Sequence, residues 1–151
     1  MSHTPVNHPA RPIYRAVAAL TGLYLAIFGV LGILATAGDA PFTQDDTRVL
    51  GQGTNFGFSV LCLVLGLIVL AGVGVGRNLD TAINKALAYA LMVLSLAELA
   101  VLRTDANFLN FTVSTCVVVM TIGLVLLMAG MYGKMGSEEE AKAWQDGRLV
   151  L

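Results

Sequence analysis

Few residues in this chain have a type and setting that could do chemistry. Glu98 is the one acidic residue inside four long apolar stretches, and a carboxyl there can bind a proton, pair with a cation or contact a substrate. No second acid, histidine or lysine accompanies it at depth, so pairing or anchoring near Arg103, about one turn further on, is favoured over proton or substrate handling. Asn55, Asn107 and Asn110 stand at the starts of the second and fourth stretches. Asparagine caps helix ends by accepting from free backbone N–H groups. Asn55 and Asn107 jointly lining a small polar site is the rarer alternative.

The remaining reactive types point to little chemistry. Cys62 and Cys116 lie inside apolar runs and are read as small buried hydrophobes rather than a disulfide framework or redox pair. His3 and His8 sit in a polar amino-terminal segment. Haem between helices takes a strong axial ligand such as histidine, and no histidine falls within the stretches. No metal site, no cofactor and no catalytic constellation is expected, and the chain is read as a non-enzyme. The run Gly72-Val73-Gly74-Val75-Gly76 lacks the strand-to-helix setting of a phosphate loop.

What must position these residues is a set of membrane helices. Hydrophobic residues make up 56% of the 151 and charged residues 13%, about half the usual charged share, so the surface must face lipid. A net charge of -1 with no basic patch excludes nucleic acid as a partner. Each crossing of the bilayer takes about 20 apolar residues. The spans predicted are Tyr14 to Ala37, Phe56 to Val75, Ala86 to Leu102 and Phe111 to Tyr132. The first has an apolar core longer than the roughly 7–15 residues of a signal peptide and is expected to be retained. The expected class is thus an all-α, polytopic membrane protein: a flexible tail over 1–12, a four-helix transmembrane domain over 13–135, and a tail with a short helix over 136–151.

Orientation follows lysine and arginine. Arg11, Arg15, Arg77, Lys85, Lys134, Lys142 and Arg148 fall on the side of both termini, and only Arg48 and Arg103 fall opposite. The positive-inside rule then places both termini in the cytoplasm.

Two further patterns bear on assembly. Asn55 to Cys62 and Asn107 to Cys116 read as copies, which would make the protein two like hairpins about a pseudo-twofold axis along the membrane normal. Convergent helix starts are the alternative. Gly22, Gly29 and Gly32 share their spacing with Gly123, Gly130 and Gly133; such glycines let helices approach closely, as a bundle seam or as an oligomer contact. In the last segment Ser137 to Glu140 matches a capping box opening a helix that ends at Gly147. Trp144 on it would rest at the membrane interface or, with Leu149, Val150 and Leu151, dock a partner.

The stretches Thr54-Asn55-Phe56 through Ser59-Val60-Leu61, Gly76 through Asp80, Arg103 through Phe108 and Gly123 through Lys134 resemble small four-helix membrane proteins of actinobacteria, grouped as a domain of unknown function. That resemblance covers about Arg11 to Gly136 and implies the same topology and a bacterial inner-membrane location, with no activity to carry over. Some proteins of that group have histidines near these asparagines, where this chain has Phe58 and Phe111. The function expected is therefore an accessory or interaction subunit of a membrane complex or a homo-oligomer, bathed in lipid. A small transporter or lipid-binding module is the alternative.

Overall fold

A computed structural model describes residues 5–148. His3 and the terminal Leu149, Val150 and Leu151 lie outside the described residues. Four helices are long and apolar enough to cross a bilayer: α1 (Arg11–Ala35), α2 (Phe56–Val75), α3 (Leu79–Val101) and α4 (Val113–Tyr132). The protein is a multi-pass, all-α membrane protein. A two-stranded ribbon, β1 (Arg48–Val49) with β2 (Gln52–Gly53), interrupts the α1–α2 loop, and α5 (Glu138–Arg148) follows the bundle.

The ends of the helices have local causes. Pro12 in the first turn of α1 fixes a helical φ where no backbone donor is missed, so the helix opens at Arg11 rather than Tyr14. Asn55 caps α2 by accepting from the Phe58 amide at 2.9 Å. Thr112 caps α4 in a reciprocal box with Thr115, which moves that start from the expected Phe111 to Val113. The largest departure is α3, which begins seven residues before the expected Ala86 because Asp80, Thr81 and Asn84 belong to its buried face.

α1 packs mainly on α2, and α3 mainly on α4, giving two antiparallel hairpins; lighter α1–α4 and α2–α3 contacts close the ring. The glycine rows line these hairpin seams. A Cβ on Gly29 would meet the Leu63 amide nitrogen at 2.5 Å, and one on Gly66 would meet Ala26 N and Gly22 O, each at 2.6 Å. In the second hairpin Gly123 and Gly130 lie against the α3 backbone at Ala88 and Lys85. Glycine is needed there because dispersion between touching backbones, not hydrophobic force, holds helices together in lipid.

The hairpins use equivalent positions. Buried residues of α2 recur 57 residues later in α4: Phe58 with Thr115, Ser59 with Cys116, Cys62 with Val119, Gly66 with Gly123, Val69 with Leu126 and Gly72 with Ala129. All of those of α1 but Phe28 recur 66 later in α3, Gly22 with Ala88 and Gly29 with Ser95 among them. This register differs from the Asn55-to-Cys62 match expected from sequence. Asn107 lies in a loop and not at a helix start, so aligning it with Asn55 sets the two helices out of phase.

Candidate functional site

α3 differs from its counterpart in one respect that matters for function. The buried face of α1 is Ala18, Gly22, Leu25, Phe28, Gly29 and Gly32, whereas that of α3 is Asp80, Thr81, Asn84, Ala88, Leu91, Ser95 and Glu98. The second hairpin thus carries a line of polar groups into the bundle, divided in the middle by Ala88 and Leu91.

At the end of the bundle bearing the termini, the line is anchored by charge. Asp80, 2% exposed, lies 3.6 Å from the Arg11 guanidinium and 3.5 Å from that of Arg15. Each arginine also serves a helix terminus: Arg11 Nε donates to Gly133 O at 2.9 Å, just past α4, and Arg15 donates to Val73 O near the end of α2. Last-turn carbonyls have no intrahelical donor, and cations suit the negative end of the helix dipole. One carboxylate and two guanidiniums therefore tie all four helices together. Sequence reading missed this cluster because Asp80 lay outside the expected span and its partners lie in another helix.

The same end is braced by asparagines in left-handed backbone. Asn78 (φ 67) donates to Met135 O at 2.8 Å and accepts from Met135 N at 2.7 Å. Asn7 (φ 54) treats Gly136 in the same two-way manner, at 2.9 and 3.1 Å. Beside them the rings of Tyr14 and Tyr132 stack with centroids 5.0 Å apart, and His8 meets Tyr132 edge-on. The segment before α1 is thus seated on the bundle from Asn7 onward.

At the opposite, loop end the three asparagines hold loops together. Asn55 donates to Phe108 O at 2.7 Å, and Asn110 donates back across the same gap to Thr54 O at 2.9 Å. Asn107 accepts from Phe111 N at 2.7 Å and donates to Phe111 O at 2.9 Å, shaping the α3–α4 loop. Asn55 caps as expected; Asn107 and Asn110 do not cap α4. Asn55 and Asn107 are both buried, and their amides go to backbone. The ribbon joins this assembly through Thr115 Oγ1, which donates to Gly53 O at 3.0 Å.

Glu98 is also 2% exposed, but its setting is the reverse of that of Asp80. Its Oε2 has no hydrogen-bond partner, and Arg103 is exposed and makes no ion pair among the described residues. Asn84 Oδ1 and Thr81 Oγ1, on the same face, are likewise buried and unpartnered. Ser95 is satisfied, donating to Cys116 O at 2.7 Å. Beyond the bundle, Ser137 and Glu140 form the expected capping box, with Glu140 N donating to Ser137 Oγ at 3.2 Å, and Trp144 is half-buried on α5.

The chain matches no family model, no curated protein and no solved structure.

Proposed function

We propose that this protein is a non-enzymatic accessory subunit of a bacterial inner-membrane complex, with both termini in the cytoplasm and α5 as its contact element. The observation that carries this reading is the presentation of α5. A capped 11-residue helix, opening with Glu138, Glu139 and Glu140, leaves the bundle through residues that Asn7 and Asn78 grip on both sides. A tail without a partner has no need of a fixed exit. The cytoplasmic placement rests on seven lysines and arginines against two. Contact through α5 is preferred to a glycine-mediated homo-oligomer, since the glycine rows are occupied inside the hairpins.

Affinity isolation of the full chain from native membranes, beside a chain ending at Gly136, tests this. A membrane protein recovered with the first and lost with the second is the expected result. Strictly monomeric behaviour under cross-linking in mild detergent would overturn it.

The alternative, a small transporter or lipid-binding module, draws on the unpartnered oxygens of Thr81, Asn84 and Glu98. It requires a polar path past Ala88 and Leu91.

A further inference from the structure

Glu98 has no structural employment. The other buried acid, Asp80, holds four helices together, and the buried asparagine side chains at the loop end are spent on hydrogen bonds between and within the loops. Glu98 Oε2 does neither, although burying an ionised oxygen without a partner is unfavourable. Where the first hairpin has Gly32 against Ser59, the second has this acid in the equivalent position. A group that is costly, unpartnered and replaceable by glycine in the sister hairpin is explained by a ligand that comes and goes.

The surroundings decide which ligand. α2 and α4, the helices packed on α3, contain no charged residue; their ionisable groups are Cys62, Cys116 and Tyr132, and of these Cys116 lies within electrostatic reach of Glu98. In the adjoining loop Arg103 and Asp105 are exposed. A hard metal cation would need several oxygen ligands, but Ser95 Oγ is committed to Cys116 O, and no group of three or more His, Cys, Asp or Glu gathers among the described residues. A proton needs one oxygen and removes the charge outright. Glu98 lies three residues from the end of α3, roughly 4.5 Å of helical rise, so the short way to water is through the loop end.

We propose that Glu98 is an exchangeable proton-binding site loaded from the loop end of the bundle. This goes beyond the accessory-subunit reading and survives its failure, since it concerns the bundle and not α5.

A hydrophobic carbodiimide tests it on the full chain in phospholipid vesicles. The protonated carboxyl adds its O–H across one C=N bond, giving an acylisourea with no leaving group, which peptide mass spectrometry locates. The expected result is an adduct at Glu98 and none at Asp80, with the Glu98 yield falling about tenfold or more as the loop-side pH is raised by some three units. No adduct at low pH, or a yield indifferent to pH, would overturn the proposal. Suppression by sodium but not choline at fixed pH would replace the proton with a metal cation. Dependence on the termini-side pH would overturn the loop-end route. All four readings come from the unmutated chain, so none depends on whether Glu98→Gln folds; that variant serves only to confirm the labelled position.

Discussion

Two acids with the same exposure on the same helix face have opposite roles, and substitution should separate them. Asp80 offsets two guanidiniums, so Asp80→Asn leaves both without a counterion; we expect a loss on the order of 2–3 kcal/mol, below the roughly 3–5 for a fully buried pair because Arg15 keeps about a third of its surface exposed. Unfolding in detergent monitored by circular dichroism measures it, and adding Arg15→Met to Asp80→Asn should recover part of the loss. Glu98→Gln, by contrast, removes no described ion pair and resembles the protonated acid in shape, so it should leave the unfolding midpoint nearly unchanged at low pH and raise it where Glu98 is ionised. At the loop end Asn55→Ala strips the α2 cap and the bond to Phe108 O, with an expected cost of about 1–3 kcal/mol in the same assay.

Helices and their seams come next in scale. Gly29→Ala and Gly66→Ala push a methyl into facing backbone, which cannot move aside as a side chain would, and should each destabilise the first hairpin by about 1–3 kcal/mol. Gly74, with nothing within 4 Å of its added Cβ, should tolerate alanine and gain up to about 1 kcal/mol of helix preference. Thermal aggregation midpoints of the three variants in one detergent would rank them. Sequence reading found α2 to the residue and the middle of every span, because twenty apolar residues in a row leave the backbone no other way to pair its hydrogen bonds. It misplaced the start of α3 because hydropathy sums residues without regard to the side they face. Asp80, Thr81 and Asn84 look like a loop until the helix turns them inward. The Arg11–Arg15–Asp80 cluster was illegible for a related reason: nothing local marks which arginine folds back onto a carboxylate two helices away. Nor could sequence tell that Asn107 shapes a loop and Thr112 caps the helix, since both residue types serve either purpose.

For the whole molecule, the topology makes a direct demand. Cysteines introduced singly at Arg77 and Lys142, in a background lacking Cys62 and Cys116, should react with an impermeant thiol reagent from one face of the membrane, and one at Arg48 from the other. Labelling of Arg77→Cys and Lys142→Cys on opposite faces would break the fourfold crossing. The cluster at the termini end has a bearing on biogenesis as well. Arg11 and Arg15 emerge from the ribosome with the first helix, whereas the carboxylate that neutralises them arrives with the third. Until then the first hairpin lacks the carboxylate that draws its two arginines together, so the end of the bundle that bears the termini can lock only once the third helix is in place.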